Sequence, residues 1–365
     1  MDLIPYKPNL IVNGKGLVNA TGVSCYYNSL IQALLSCSSL YPFIREYNGT
    51  DIFITAFRDL WISELINKKG CDRTIYVKEL KEIAEICINE DLKSLYYKYE
   101  NNIINEDVFF QLVESLYHDV NNNIKKAIEE EDRKYKNTPN PTDGEVYNHA
   151  YNASMMRDLH MEVGRQEDTT QLFISIYNKF TNIPEITRLF THRIRRTINC
   201  NNCNKSYHNY IDNNYFQFSQ DLTEGQLNKF IIKFDDNSDK DLVCSLCNNK
   251  GVKKMTYNVV MIPEIIMISF NKYPGHSGIV KKKATPYPKE LFLPASKSQH
   301  YQYKLVATID QRGDNDGGHY VANVLRADWW WHMDDASAAE LPNGAPNPHE
   351  NTYVLFYHYE KIIRR

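Results

Sequence analysis

The chain has 365 residues, of which 42% are hydrophobic and 24% charged, enough for one large domain or two to three ordinary ones. A formal net charge of −3 argues against partners that attract bulk positive charge, such as nucleic acid or an anionic membrane surface. No apolar run approaches the roughly 20 residues of a membrane-spanning helix, and residues 1–15 resemble an extended lead-in without a signal-peptide core. An intracellular protein, cytoplasmic or nuclear, is therefore expected, without membrane insertion.

The first predicted helix carries a cysteine at its start. A loop with two glycines, Gly16 and Gly22, precedes Cys25, and an apolar run of helical spacing follows. Ser24 is a candidate N-cap for a helix over residues 24–40. The partial positive charge of a helix N-terminus stabilises a thiolate, and a thiolate attacks carbonyl carbon. The alternative is a structural cysteine that begins a helix, because free cysteines are usually buried in the core.

Helical periodicity continues in the next stretches. Residues 52–66, 75–100 and 105–122 carry apolar side chains near helical spacing, and most of these are predicted to be core. Residues 121–150 are rich in charge, Asn, Pro and Gly, which predicts a mobile surface insertion.

A polar cluster that contains Gln166 and Asp168 then begins a helix running to about Phe180. An acidic side chain suits the first turns of a helix because it faces the positive end of the helix dipole. An ordinary charged helix start would look the same.

Four of the eight cysteines form two pairs: Cys200-x2-Cys203 and Cys244-x2-Cys247. In a chain without a secretory signal, such pairs indicate metal ligands more readily than disulfides. Two such turns complete a tetrahedral site of four thiolates suited to one zinc ion, and the ion would be structural because no coordination position stays open. Redox-active or merely buried cysteines are the alternative. Residues 207–218 and 227–234 are predicted strands, which places the pairs at the tips of two hairpins that meet.

The last third of the chain is predicted to be a continuous antiparallel meander. Its strands are expected at 262–270, 303–309, 319–324, 329–334 and 353–357, and the last of them closes the sheet.

One histidine in this sheet stands out by its position. His319 begins a strand directly after two glycines, and Asp334 ends the next strand. In a hairpin the start of one strand lies beside the end of the next, so imidazole and carboxylate can meet. A carboxylate on one ring nitrogen leaves the other free to act on a thiol, which is the Cys–His–Asp arrangement of nucleophilic acyl transfer. The other histidines that could be chosen are His118, His192, His276 and His332.

Together these motifs resemble the ubiquitin-specific protease family of deubiquitinases. The similar boxes follow the family's order from about residue 14 to 359: Gly16-Leu-x-Asn19 with Cys25-Tyr-x-Asn-Ser-x-x-Gln32, Gly164-x-Gln166-x-Asp168, Phe270-x-Lys-Tyr273 with Pro288-x-x-Leu291, Gly318-His-Tyr-Val-Ala322 with Trp330 and Asp334-Asp335, and Tyr353 to Tyr357. The paired cysteines stand where many members carry a zinc ribbon.

The resemblance implies an α+β, papain-like cysteine protease fold in one catalytic domain over residues 16–360. It implies a helical thumb (about 16–190), zinc-bearing fingers (about 191–255) and a palm of antiparallel sheet (about 256–360). Ubiquitin would lie across fingers and palm. Its C-terminal tail would thread between Cys25 and His319.

The roles of single residues are also implied by the resemblance. Cys25 would attack the carbonyl of the C-terminal glycine, His319 would take the thiol proton and return one to the leaving amine, and Asp334 would orient His319. Asn19 would stabilise the oxyanion. Substrate-binding positions would be Gln166, Asp168, Gly318, Tyr320 and Asp335, with the Asp168 carboxylate facing the basic tail of ubiquitin.

One position departs from the family. The oxyanion asparagine is expected five residues before the cysteine, where this chain has Ala20, and Asn19 lies one residue earlier. Either the loop bulges so that Asn19 still reaches the oxyanion, or backbone N–H groups and polar groups near Asp335 serve instead. Losing one such donor costs roughly 100- to 1000-fold in rate.

The sequence thus predicts a deubiquitinase whose partners are ubiquitin and ubiquitinated proteins, with one structural zinc and no catalytic cofactor. Two alternatives stay open. The boxes do not distinguish ubiquitin from other ubiquitin-like modifiers. The irregular oxyanion loop also leaves room for a weakly active or inactive ubiquitin-binding module.

Overall fold

The computed structural model describes most of the residues before 67 and after 167. These are residues 3, 5–7, 11, 14, 16, 17, 19, 25–66, 94, 95, 97–99, 101, 103–105, 108, 109, 111, 112, 168–219, 226–236, 243–250, 253–271, 284–296, 298–314 and 317–364. The predicted helices over 75–100 and 105–122 lie outside them apart from isolated residues, and so does the whole predicted insertion over 121–150.

The chain forms two units, each built from separate stretches of sequence. We call Lys7–Ile186 with Ile309–Ala345 the helical unit, and Met1–Tyr6 with Thr187–Thr308 and Pro346–Arg365 the sheet unit. The candidate cysteine, histidine and aspartate all belong to the helical unit, and the paired cysteines belong to the sheet unit.

The helices of the first unit form around a buried helix that starts at the cysteine. They are α1 Cys25–Leu35, a 3₁₀ turn Ser38–Leu40, α2 Tyr41–Arg45, α3 Ile52–Ile66 and α4 Thr169–Phe180. All eleven residues of α1 are buried, as expected of a helix that is enclosed on every side. The prediction of a helix over 52–66 is confirmed, whereas the one over 24–40 ends early at Leu35.

The strands of the helical unit place the candidate histidine and aspartate. They are the end of β8 Gln299–Asp314, then β9 Gly317–Arg326, β10 Trp329–Asp334 and β11 Ser337–Glu340. β10 pairs antiparallel with both β9 and β11. Helix α1 packs against β9, which brings the cysteine helix and the histidine strand together.

The remaining elements contain two groups of paired strands in the sheet unit. The elements are α5 Pro184–Phe190, β1 His192–Cys200, β2 Ser206–Asn213, β3 Phe216–Ser219, α6 Gln226–Ile232, β4 Lys233–Asp236, β5 Lys253–Met261, β6 Ile265–Asn271, β7 Glu290–Pro294 and β12 Thr352–Arg364. One group is an antiparallel sheet of order β2-β1-β5-β4. In the other, β12 lies between β8 and β6, β6 pairs with β3, and β7 pairs with β8.

The strand predicted over 227–234 is wrong. Residues Gln226–Ile232 form helix α6, and only Lys233–Asp236 form a strand. Leu227 and Ile231, four residues apart, are both buried, which is the spacing of one helix face and not the alternation of a strand.

The predicted meander is confirmed for β8, β9 and β10, which are neighbours in that order, but it is wrong for the first and last of its strands. The last strand, β12, lies in the interior between β8 and β6, and β3 runs parallel to β6. Residues Tyr353–Tyr357 are all buried, which is typical of a strand covered on both faces rather than one that closes an edge. The local sequence therefore predicts where strands lie, but not which strands pair with one another.

Candidate active site and metal centre

Helix α1 begins at Cys25, so the thiol lies at the helix N-terminus, and Ser24, the predicted N-cap, lies outside the described residues. The residue is only 2% exposed. Burial raises the pKa of the Cys25 thiol, and the charge of Asp335 acts in the same direction against the lowering effect of nearby backbone N–H groups. The N–H groups of Cys25 and Tyr26 at the helix start do lower the pKa of the thiol, but burial outweighs them, so deprotonation needs a base.

The strand that carries the candidate base contacts Cys25 directly. The backbone N–H of Tyr320, the residue after His319, donates a hydrogen bond to the Cys25 sulfur. The Tyr320 side chain is 3% exposed and belongs to the core, while Gly318 and His319 are half-buried. Backbone geometry at the start of β9 thus brings the histidine position to the sulfur.

His319 and Asp334 form a close pair. The His319 Nε2 lies 2.6 Å from Asp334 Oδ1. Met333 pairs with Ala322, so Asp334 lies across from Val321 and on the same face of the hairpin as His319. Because a carboxylate accepts a hydrogen bond from the Nε2 N–H, Nδ1 is the nitrogen left to take a proton.

The other described histidines have different surroundings. His192 is buried and stacks on Phe216 with 3.8 Å between ring centroids. The His332 Nδ1 lies 2.8 Å from Asn323 Oδ1. His118 and His276 lie outside the described residues. This comparison favours His319 as the base.

Asp335 holds the loop that precedes the cysteine. Its carboxylate accepts hydrogen bonds from the side-chain amides of Asn19 (3.0 Å) and Asn28 (2.8 Å), and its carbonyl accepts one from the N–H of Leu17 (2.7 Å). The backbone at Asp335 is left-handed, with φ of 47°. A Cβ at Gly16 would clash with the backbone carbonyl of Ala336, so only glycine fits there.

This arrangement adds a role that the sequence did not suggest. Asp335 was expected to bind substrate, yet both of its carboxylate oxygens bind side chains of the cysteine loop and helix. Asn28 was not singled out, although it stands in the cysteine box and its amide also donates to the Leu17 carbonyl (3.1 Å). The position of Asn28 in the cysteine box was the feature of the sequence that could have pointed to this role.

The third box is described only at its end. The Asp168 Oδ1 accepts hydrogen bonds from the N–H groups of Thr170 (2.7 Å) and Gln171 (3.1 Å), so Asp168 is the N-cap of α4. Gln166 lies outside the described residues.

The paired cysteines meet in a compact cluster. The sulfurs of Cys200 and Cys247 are 3.8 Å apart, those of Cys203 and Cys244 are 4.0 Å apart, and all four lie within 4.8 Å of one another. Ligands about 2.3 Å from a tetrahedral zinc lie about 3.8 Å apart, whereas a disulfide needs about 2.05 Å. The four sulfurs could therefore hold a zinc ion.

The two cysteine turns repeat one local design. The Cys200 N–H donates to the Lys205 carbonyl (3.0 Å), and the Cys244 N–H donates to the Asn249 carbonyl (3.1 Å). Each pair is followed by an asparagine in the left-handed region, Asn204 (φ 52°) and Asn248 (φ 55°). Backbone N–H groups of Cys203 and Asn202 lower the pKa of Cys200 to about 6, which favours the thiolate that a metal requires.

Comparison with known proteins relates both sites to one family. The family model for ubiquitin carboxyl-terminal hydrolase matches residues 15–357. The probable ubiquitin carboxyl-terminal hydrolase 8 of Schizosaccharomyces pombe is 21% identical over 216 residues, which are 54% of this chain and 46% of that protein. Ubiquitin carboxyl-terminal hydrolase 24 of Arabidopsis thaliana is 32% identical over 117 residues, 30% of this chain and 20% of that protein. The chain thus spans less than half the length of either relative that it matches.

Two solved structures share the fold. The SAGA DUB module of Ubp8, Sgf11, Sus1 and Sgf73 bound to monoubiquitin matches 100% of this chain and 72% of that chain, with 12% identity and a TM-score of 0.55. The same module bound to ubiquitin aldehyde matches 99% and 72%, with 13% identity and a TM-score of 0.55. The predicted α+β, papain-like fold is confirmed. Among the helices that the structure describes, none has the length and apolar character needed to span a membrane.

Proposed function

Since the chain belongs to the ubiquitin carboxyl-terminal hydrolase family, we propose that it is a cysteine-dependent deubiquitinase that hydrolyses the bond after the C-terminal glycine of ubiquitin. The observation that carries this proposal is the site itself. The sulfur of Cys25, buried at a helix N-terminus, accepts a hydrogen bond from the backbone N–H of the residue after His319, and the His319 ring is bound by the Asp334 carboxylate. Nucleophile, base and orienting carboxylate stand in the order that acyl transfer requires.

The mechanism follows from these three side chains. The Cys25 sulfur attacks the glycyl carbonyl carbon while its proton passes to Nδ1 of His319. When the tetrahedral intermediate collapses, the carbon–nitrogen bond breaks and Nδ1 gives the proton to the leaving amine. Water, deprotonated by His319, then attacks the thioester, which releases ubiquitin and restores the thiol. Asp334 stabilises the imidazolium that forms in each half of the cycle.

Asn19 is our candidate oxyanion donor. The Asp335 carboxylate accepts a hydrogen bond from the side-chain amide of Asn19 at 3.0 Å. Anchoring by Asp335 holds the amide of Asn19 on the loop before Cys25. This favours the alternative in which Asn19 serves the oxyanion over a site without the asparagine.

The substrate contacts remain proposals with different support. Asp168 caps α4 through Oδ1, and its carboxylate stays our candidate partner for the basic tail of ubiquitin. Gly318 and Tyr320 would act through their backbone, because the Tyr320 ring is buried. We assign Asp335 chiefly to the organisation of the loop, and Gln166 stays a prediction from its box.

The cysteine cluster completes the proposal. We expect Cys200, Cys203, Cys244 and Cys247 to hold one structural zinc, whose chemistry would be to fix the two turns rather than to react. Partners would be ubiquitin and ubiquitinated proteins. Location inside the cell, cytoplasmic or nuclear, is part of the proposal.

Hydrolysis assays would test the function. Purified protein is incubated with ubiquitin that carries a fluorogenic C-terminal amide, beside matched substrates made from other ubiquitin-like modifiers. We expect the wild-type protein to release the fluorophore from the ubiquitin substrate and the Cys25→Ala variant to release none. Release from another modifier alone would overturn the assignment of substrate. If the protein binds ubiquitin but releases no fluorophore, the alternative of an inactive ubiquitin-binding module would stand.

A further inference from the structure

A buried arginine joins the far ends of the cysteine helix and the histidine strand. Arg326 is the last residue of β9 and is 0% exposed. Its guanidinium donates hydrogen bonds to the Gln32 side-chain oxygen (2.7 Å), to the Gln32 carbonyl (3.0 Å) and to the Ser36 hydroxyl. Gln32 belongs to α1, and Ser36 follows its last residue.

The charge of Arg326 is stabilised by the end of the helix. A buried cation is costly unless polar groups surround it, and the C-terminal carbonyls of a helix carry a partial negative charge. Cys37 does not supply a counter-charge, because burial raises the pKa of its thiol far above the usual range. The Cys37 sulfur instead donates to the Ala33 carbonyl (3.6 Å). Arg326 thus donates hydrogen bonds to helix α1 and to the residue that follows it.

The same helix and strand are also joined at their other ends. There the Tyr320 N–H binds the Cys25 sulfur. Cys25 and Gln32 are separated by about 10 Å of helix, and Tyr320 and Arg326 by about 20 Å of strand. These two widely spaced polar contacts add to the packing of α1 against β9 and restrain the helix from pivoting or sliding along the strand. The position of α1 on β9 sets where Cys25 lies relative to His319.

We propose that Arg326 is a positioning residue, which holds the C-terminal end of α1 against β9 and so fixes Cys25 at the start of the histidine strand. The inference rests on the proposed function only in that Cys25 is the nucleophile. Arg326 touches no reacting atom. It acts through the backbone of the helix that presents the thiol.

The test compares Arg326→Met, Arg326→Lys and Ser36→Ala in the full chain. Since a misplacement of about 1 Å can cost about 100-fold, we expect kcat for ubiquitin amide hydrolysis to fall about 100-fold in Arg326→Met, with KM little changed. Arg326→Lys keeps the charge without the planar fork, so partial rescue to about tenfold below wild type is expected. Ser36→Ala removes one acceptor with little change in volume and should cost about threefold.

A second readout separates positioning from general damage. Alkylation of Cys25 by iodoacetamide, followed by peptide mass spectrometry, should need a higher pH in Arg326→Met, because the displaced sulfur loses the Tyr320 N–H. Arg58→Met is the matched control, since Arg58 donates to the Tyr47 carbonyl (2.7 Å) in the same unit. It should leave both readouts unchanged.

Two results would overturn the inference. One is an Arg326→Met protein that folds and keeps the wild-type kcat. The other is a loss of kcat in all three variants with no change in Cys25 alkylation. If wild-type protein hydrolyses no ubiquitin substrate, the proposed function fails, while the alkylation comparison still tests the contact.

Discussion

The cysteine cluster of the sheet unit and the Cys25 site of the helical unit are built in opposite ways. The cluster consists of two short turns of the same design, each closed by its own backbone hydrogen bond and followed by a left-handed asparagine. The Cys25 site draws on a helix, a loop and a hairpin from two distant stretches of sequence. Local hydrogen bonds shape each turn of the cluster and the pairing of β1 with β5 brings the turns together, whereas the Cys25 site depends on packing between distant stretches throughout.

The two sites also differ in what their sulfurs must do. In the cluster, backbone N–H groups favour a thiolate at Cys200 before any metal binds. At the nucleophile, burial and Asp335 favour the thiol, and His319 must remove its proton. A thiolate is thus favoured at one sulfur of the cluster, whereas at the nucleophile it forms only when a base is present.

The largest effect is expected from breaking the cluster. Structural zinc contributes on the order of 10 kcal/mol to the folding of small metal sites, so Cys244→Ser or a strong chelator should unfold the sheet unit. Metal analysis and thermal unfolding measure this. Cys37→Ala, a buried cysteine outside the cluster, serves as the control and should retain zinc. Purified protein that holds no zinc and ignores chelators would contradict the account.

The next effect concerns the base. Asp334→Asn keeps the shape of the pair but no longer favours the N–H at Nε2, so kcat should fall by about 10³- to 10⁴-fold. Thermal unfolding should change little, since both side chains are 39% exposed. Steady-state kinetics with the ubiquitin amide substrate measures the loss. A variant within tenfold of wild type would remove Asp334 from the site.

Two buried histidines make the stability of the sheet unit depend on pH. Burial lowers the pKa of His192 to about 4 and that of His358 to about 4. The unfolded chain takes up these protons near pH 6.5, so stability is full above that pH and falls as pH decreases toward 4. The loss is about 3 kcal/mol for each histidine.

The contribution of His192 to this pH dependence can be measured by comparing a variant with the wild-type protein. His192→Phe keeps the stacking on Phe216 and removes one titrating group. Urea unfolding between pH 7 and pH 4 should show a smaller loss of stability in this variant than in wild type. Because zinc release at low pH affects both proteins, the difference between them is the informative quantity. Parallel curves would refute a contribution from His192.

The smallest effect sharpens the role of Asp335. Asp335→Asn removes the negative charge that raises the pKa of Cys25, so alkylation of Cys25 should occur at lower pH. The anchor of Asn19 is weakened at the same time, and kcat should fall by about 100-fold. A more reactive thiol in a slower enzyme is the distinctive result. Unchanged alkylation would mean that Asp335 does not act on the sulfur.

Sequence patterns predicted the parts of both sites that depend on local structure. The Cys-x2-Cys spacing indicated the cluster because two residues between ligands form a tight turn. The order of His319 and Asp334 indicated their pairing because a hairpin brings the start and end of its strands together.

Features that depend on packing were not predictable in this way. The place of β12 between β8 and β6 depends on long-range pairing. The hydrogen bonds of Asp335 and Arg326 join residues that are far apart in sequence, and neither side chain carries a local pattern that names its partner. The helix at Gln226–Ile232 was missed because a short apolar run fits both a helix and a strand.

The most direct test of the central claim is to trap the nucleophile. Ubiquitin with a thiol-reactive group at its C-terminus is incubated with wild type, Cys25→Ala and Asp334→Asn, and the modified peptide is identified by mass spectrometry. The account predicts one adduct on Cys25 that forms quickly in wild type, slowly in Asp334→Asn and not at all in Cys25→Ala. An adduct on another cysteine, or none in wild type, would contradict it.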